Sequence, residues 1–398
     1  MTPPSSAPSR HGLIVVDTLV GPSLTLQPDT LIEWRDGYFT RVEKTSEGLI
    51  PDGATRLPGV AIPGLIDAHV HFALDGTPDV VSTLQTLPAD LIDQRIRANA
   101  ALFVAAGITT VRDLGSPQGS VGRLVHNGSL PIPASPRVLA AQAISTPTGH
   151  GNFIALHAEE FSDYREIIDG LDPAIHPFLK LFASGGVITS GSDPSGIQMP
   201  NQLLRDVTAY AHDRGFRVAA HAHSHASIAN CLAAGVDTIE HFSYLDEKLA
   251  EAVSDSSSVL VSTYVATHRF AHNPERKGAE PEALEKILHH DSIEASALRI
   301  ASTIPEKVIA GSDSGTILNP HPTALHESGQ LMVEAGFTPH DALMTMTSRS
   351  AMALGIDGGM IDVGKQADIV VCERNPAADI GALRKQTRVI LAGHDVTT

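Results

Sequence analysis

In the run Ile66-Asp67-Ala68-His69-Val70-His71 two histidines stand two apart, and residues i and i+2 of a strand face the same way, so both imidazoles can reach one metal ion. An isolated His-x-His is as readily a polar strand end. Here an apolar lead, Pro63-Gly64-Leu65-Ile66, favours a ligand pair inside a barrel. Lys180 is embedded in Phe178-Leu179-Lys180-Leu181-Phe182, where an unpaired ammonium is costly to bury. One reading lets it snorkel to a barrel mouth or pair with an acid. The other lowers its pKa by burial until the neutral amine captures carbon dioxide, giving a carbamate whose two oxygens bridge two cations. His221 closes Val218-Ala219-Ala220, His241 closes Asp237-Thr238-Ile239-Glu240, and Asp313 follows Val308-Ile309-Ala310-Gly311-Ser312. Each alone reads as a core histidine or a turn-capping acid. At successive strand ends they make a second imidazole pair and a carboxylate facing the first pair, and in that company Lys180 favours the carbamate.

Such side chains meet only if a parallel barrel delivers them. Between Leu65 and Gly355 short β-branched runs alternate with longer helical stretches. The strands predicted are Leu65–Val70, Ile108–Leu114, Arg137–Ala143, Phe178–Ala183, Arg217–His221, Asp237–His241, Val259–Thr263 and Lys307–Ser312. Helical spacing predicts Ala89–Ala106, Asn201–Arg214, Ser224–Ala234, Pro281–Ser302 and Pro339–Leu354. The pattern predicts an α/β chain with a (β/α)₈ barrel, of the type needing about 250 residues or more. The ends read differently. Gly12–Arg56 holds short alternating runs (Leu13–Val16, Leu31–Trp34, Phe39–Val42), and Asp368–Cys372 and Val389–Leu391 add more. Neither end can bury a core alone. We therefore expect a small β-sandwich from residues 1–62 and 358–398 around a barrel of residues 63–357.

The 398-residue chain carries 28 Lys and Arg against 45 Asp and Glu, a net charge of −17 with no basic block, so nucleic acid is not an expected partner. Its 20 histidines are many for a chain with only 4% aromatic residues, which suits metal chemistry. Cys231, in an expected helix, and Cys372, in an expected strand, give no disulfide framework and fit a reducing compartment. Met1 to Gly12 is Pro- and Ser-rich and lacks the pattern of a secretion signal, and no apolar run reaches the ~20 residues that cross a bilayer. The expectation is a cytoplasmic enzyme without membrane association, acting on a small-molecule substrate. Barrel flanks and a sandwich leave room for a homo-oligomer.

Taken in order, His69-x-His71, Lys180, His221, His241 and Asp313 resemble the stations of the amidohydrolase superfamily of metal-dependent hydrolases. The stretch Gly359 to Val371 also matches the return of such chains into the sandwich. The resemblance covers nearly the whole chain and implies a distorted barrel with a sandwich from both termini. Three strings, Thr148-Gly149-His150-Gly151, Lys180 to Val187, and Ala220-His221-Ala222-His223, are similar to the branch holding Xaa-Pro dipeptidases and ochratoxin-type amidases. The chain departs from that branch at Ser224-His225, where a glycine is expected.

The resemblance implies two divalent ions, zinc by default, with cobalt, manganese or iron admitted by the donor set. His69 and His71 would hold one and His221 and His241 the other, the Lys180 carbamate would be shared, and Asp313 would complete the first. A water shared by two ions becomes hydroxide near neutral pH. Asp313 would take its proton and return it to a departing amine. The implied activity is cleavage of an amide C–N bond in a peptide-like or N-acyl amino acid substrate. The same centre could serve a carbamate, urea, lactone or cyclic amide. His150, His223 and Tyr264 follow the third, fifth and seventh strands and are candidate substrate contacts, with a packed or solvated side chain the competing reading. A mononuclear deaminase would want an acid after the fifth-strand histidine, where this chain has Ala222-His223-Ser224-His225, and has no use for Lys180. A metal-free scaffold would not be expected to keep every ligand.

Overall fold

In a computed structural model of the protein, residues 11–21, 26–187, 189, 191–278 and 281–397 are described. The Pro- and Ser-rich start therefore lies outside them up to residue 10, as do Ile188, Ser190, Ala279 and Glu280 of the two long loops after the fourth and seventh barrel strands.

Four strands open the chain, β1 (His11–Val20), β2 (Leu26–Arg35), β3 (Tyr38–Lys44) and β4 (Thr55–Pro63). Three close it, β14 (Ile369–Cys372), β15 (Gln386–Leu391) and β16 (His394–Asp395). Together they form one seven-stranded sheet in the order β16-β15-β14-β4-β1-β2-β3. The sheet curls until Phe39 N donates to the Lys365 carbonyl, at 2.9 Å. Inside the curl the alternating positions Ile14 and Val16, Ile32 and Trp34, and Ile369 and Val371 make a core of their own. This is the small β-sandwich domain, built from both termini. Strand β4 was not expected, because Pro58 and Gly59 interrupt its apolar run; Asp17 Oδ2 accepts the Gly59 N–H and holds the irregular spot.

From β4 the chain passes directly into the barrel. Its strands are β5 (Leu65–Val70), β6 (Ile108–Asp113), β7 (Arg137–Ser145), with the short β8 (Leu156–His157) beside it, then β9 (Phe178–Phe182), β10 (Arg217–Ala222), β11 (Thr238–His241), β12 (Val259–Ser262) and β13 (Val308–Ala310). All neighbours along the wall pair in parallel. The helices, in chain order, are α1 (Val80–Thr86), α2 (Ala89–Ala105), α3 (Ser120–His126), α4 (Phe161–Asp169), α5 (Asn201–His212), α6 (His225–Ala234), α7 (Glu247–Asp255), α8 (Tyr264–His272), α9 (Pro281–Ala301), α10 (Ala324–Glu334), α11 (Pro339–Thr345) and α12 (Ser348–Leu354). The protein is a distorted (β/α)₈ barrel with the terminal sandwich beside it. Among the described residues no helix is long and apolar enough to cross a membrane.

Alternation along β9 shows why the barrel positions Lys180. Leu179 and Leu181 pack outward into the large core beneath the helices, while Phe178 joins the inner cluster with Ile66, Ala219 and Val261. Lys180 shares the inward parity of Phe178 and Phe182. The lower end of the cylinder is plugged by Ala351 and Leu354 of α12. Sequence spacing predicts one helix over Pro339–Leu354, but it is broken between α11 and α12, because the Met346 carbonyl accepts the Ile66 N–H of β5 at 2.7 Å. The break therefore ties the helices to the strand that carries His69 and His71.

The cylinder closes between β13 and β5 mainly through the segment after β13. Asp313 N donates to the His69 carbonyl at 2.7 Å and His71 N to the Ser314 carbonyl at 3.0 Å. Asp67 Oδ1 accepts from the amides of Ser312, at 2.9 Å, and His69, at 3.2 Å. The approach is close enough that a Cβ on Gly311 would fall 2.6 Å from the His69 Cβ, so only glycine fits there.

Candidate metal centre

The strand ends converge on a cavity that is open to solvent at the barrel mouth. Its polar floor carries His69, His71, Lys180, His221, His241 and Asp313, together with His150 and His223. Above them the wall is apolar, with Phe153, Phe182, Phe270, Ile287 and Ile317 prominent. All six candidate ligands thus line one space. His150 and His223 line it too. Tyr264 does not belong to that lining: its hydroxyl points to the outer side of α8, donating to Asp291 Oδ1 at 3.2 Å.

Two ligand-ready groups stand side by side. In the first, Asp313 Oδ1 lies 3.4 Å from Nε2 of His69 and 3.4 Å from Nε2 of His71. The second gathers His221, His223 and His241 with their nitrogens within 4.8 Å of one another. The groups touch where the rings of His69 and His241 come to 5.0 Å between centroids. His223 is therefore more than a neighbour: it stacks on His241 at 4.9 Å and meets His221 at 4.5 Å.

The ring nitrogen each histidine turns inward is fixed by what holds the other. His69 Nδ1 donates to Glu240 Oε2 at 2.8 Å and His71 Nδ1 to the Gly115 carbonyl at 3.3 Å, leaving Nε2 of each for the cavity. His241 Nδ1 is held by Thr263 Oγ1 at 2.7 Å, again leaving Nε2. His221 is reversed, since its Nε2 donates to the Gly185 carbonyl at 2.9 Å and Nδ1 is presented. Burial, reinforced by the Lys180 charge, drives His69 and His71 well below the usual imidazole range, His71 to about 3. Burial and the neighbouring imidazoles do the same to His221 and His241. They are neutral at pH 7, the form that ligates metals.

Two atoms show that the cluster is incomplete as a purely protein structure. Lys180 Nζ and Asp313 Oδ1 are buried and have no hydrogen-bond partner. Orphans of this kind are rare in folded proteins and call for an explanation. Burial pulls the Lys180 amine down to about 8, which brings its neutral, nucleophilic form within reach near neutral pH. The same burial pushes Asp313 up. Backbone strain is also stored here: His241 has φ of 76° and Asp313 has φ of 51°, both in the left-handed region that non-glycine residues seldom adopt. A divalent cation would satisfy both orphaned atoms and the inward nitrogens at once, so the residues present fit one.

Arg112 and Glu240 support this floor, and neither was singled out from the sequence. Arg112 is fully buried on β6 and its side chain crosses the cylinder to Glu240 on β11, Nη2 to Oε1 at 2.8 Å. Its Nε reaches the Ala68 carbonyl at 2.8 Å and Nη1 the Thr238 hydroxyl at 2.9 Å. The other Glu240 oxygen orients His69. The one available signal was Glu240, an acid in an otherwise apolar strand directly before a candidate ligand. Glu240→Gln should keep the shape but weaken the hold on His69, lowering metal affinity by roughly 10- to 100-fold. Equilibrium dialysis against a buffered metal series would read that shift.

Over residues 60–396 the sequence matches the amidohydrolase family. The chain belongs to that family. This amidohydrolase is a hydrolase. It is 28% identical to ochratoxinase of Aspergillus niger over 369 residues, covering 84% of this chain and 74% of the relative. An uncharacterized protein of Mycobacterium bovis is 25% identical over 338 residues, covering 84% of this chain and 85% of the relative. Among solved structures, the A. niger ochratoxinase superposes with a TM-score of 0.83 at 23% identity, covering 98% of this chain and 96% of that one. A Xaa-Pro dipeptidase with methionine bound in its active site superposes with a TM-score of 0.86 at 24% identity, covering 98% of this chain and 100% of that one. At those identities the superpositions establish a shared fold. The family and these neighbours match the branch read from the sequence.

Proposed function

We propose that this amidohydrolase cleaves an amide C–N bond, in a peptide-like or N-acyl amino acid substrate, at a centre of two divalent metal ions, zinc by default. The observation that carries the reading is the pair of orphaned buried atoms, Lys180 Nζ and Asp313 Oδ1, set among inward-facing neutral imidazoles on the cavity floor. His69, His71 and Asp313 would hold one ion, His221 and His241 the other, with Lys180 shared between them as a carbamate. Bound there, such ions supply Lewis acidity toward a carbonyl and ease the ionisation of water.

The chain's own groups do the rest. Asp313 takes the proton of the attacking water on its carboxylate and delivers it to the departing amine nitrogen, a positioned acid–base exchange of the kind worth roughly 10²- to 10⁴-fold in rate. His223, whose Nδ1 is anchored by Ser243 Oγ at 2.6 Å, offers its Nε2 edge to a substrate oxygen. His150, held at Nδ1 by Thr189 Oγ1 at 2.9 Å and also packed beside His221, would do the same. Phe153, Phe182, Phe270 and Ile317 bury an apolar substituent and exclude bulk water. The Xaa-Pro dipeptidase neighbour supports an amide as the bond.

The test is a panel of dipeptides, N-acyl amino acids, aryl amides, ureas and lactones offered to chelated and then reconstituted enzyme. Amide turnover should vanish on chelation and return as about two equivalents of divalent ion are restored. Full amide turnover by metal-free protein, or activity confined to lactones or ureas, would overturn the reading.

A further inference from the structure

A second cation-ready cluster lies away from the barrel mouth, on the outer side of the α8 and α9 pair. His268 and His272 are four apart on α8, so they rise from one face of the helix, with ring centroids 4.4 Å apart. Asp291 on α9 meets both of them: Oδ1 is 3.6 Å from His268 Nδ1 and Oδ2 is 3.1 Å from His272 Nε2. The three ligand atoms lie within 4.8 Å of one another. Two imidazoles and a carboxylate on two rigid helices form a donor set suited to a divalent transition ion such as zinc, with water completing the shell.

The surroundings leave the Asp291 carboxylate to two imidazoles and a hydroxyl, with His272 Nε2 donating to Oδ2. Asp291 makes no salt bridge to Lys or Arg among the described residues, where its partners are His268, His272 and Tyr264. Arg269, the nearest basic residue on the same helix, is turned away to Glu327 at 2.8 Å. Tyr264 Oη donates to Asp291 Oδ1 and lies 3.4 Å from His268 Nδ1. A hydroxyl that orients a ligating carboxylate is the usual supporting contact at a metal site.

We propose that His268, His272 and Asp291 form a separate divalent transition-metal site that clamps α8 to α9. This holds independently of the number of ions in the barrel mouth. The clamp would act on the substrate cavity, because Thr267 and Phe270 of α8 and Ile287 of α9 form part of its wall. Thr263, just before α8, also holds His241. An ion on the outside of this helix pair therefore fixes the wall within.

The test compares wild type with His272→Ala in the full-length protein. The His272 side chain is 59% exposed, so its loss leaves the core undisturbed. After equilibrium dialysis at micromolar free zinc, elemental analysis should find one more bound ion per chain in wild type than in the variant. Losing one of three protein ligands should weaken that site by more than the roughly 10- to 100-fold that loss of a partner supporting a ligand costs. Cobalt substitution should add visible d–d absorption in wild type that His272→Ala lacks. Saturating zinc should raise the melting temperature of wild type more than that of the variant, by linkage. Equal zinc content in the two proteins, or cobalt spectra that superimpose, would overturn the proposal.

Discussion

Lys180→Ala should abolish turnover and empty the barrel mouth of metal. A bridging carbamate would be the protein ligand serving both ions, so its loss removes the several kcal/mol of transition-state stabilisation that such ions supply. At about 1.4 kcal/mol per tenfold, that lowers kcat by roughly 10³-fold or more. The fold should survive, because Lys180 Nζ has no hydrogen-bond partner to lose. Metal-free variant and metal-free wild type should melt within about 4 °C of each other. Wild-type reconstitution should stall in buffer stripped of carbon dioxide and resume on adding bicarbonate, which separates the carbamate from a plain amine. A variant that keeps two ions and turns over would defeat the assignment.

Asp313→Asn should be nearly as damaging for a different reason. Asparagine matches the shape and tolerates the left-handed backbone that Asp313 occupies, so the closure between β13 and β5 should hold. The amide cannot accept the proton from water or return it to the amine. We expect kcat to fall by roughly 10²- to 10⁴-fold while KM changes little. The sign of the pH effect follows from the form required: only the carboxylate accepts a proton, so wild-type kcat/KM falls as pH drops through the Asp313 pKa. That acid limb should be absent in the variant. A kcat/KM profile that keeps the limb would assign the proton transfers to another group.

Much of this site could be read from the sequence because each candidate ligand is announced locally. His69 and His71 lie at strand spacing, Lys180 breaks an apolar pentapeptide, and His221 and His241 end strands β10 and β11 one β/α unit apart. The expected barrel strands begin or end within a few residues of the observed ones for the same reason, since side-chain alternation is a property of consecutive residues. Cys231 and Cys372 fall in the helix and strand expected, both buried and free. Where local signals compete, the prediction fails. The Pro58-Gly59 irregularity hid β4, and the continuous apolar spacing of Pro339–Leu354 hid a break set by a hydrogen bond to Ile66.

What tertiary structure alone decided is which of these groups meet across the cylinder. Arg112 and Glu240 are 128 residues apart, and nothing in the neighbourhood of either names the other. Closure of the barrel joins them and makes Glu240 the group that fixes which nitrogen His69 presents. The same closure puts Asp313 Oδ1 against His69 and His71. It also draws His223 into the His221 and His241 group, whereas the sequence offered His223 only as a substrate contact. Tyr264 shows the converse: its place after the seventh strand suggested the mouth, but as the first residue of α8 its hydroxyl is turned outward to Asp291. Sequence spacing determined the residue types and the strand each occupies, because those depend on neighbours along the chain. Direction, partner and protonation follow from contacts between strands far apart in sequence, and only the closed barrel creates those.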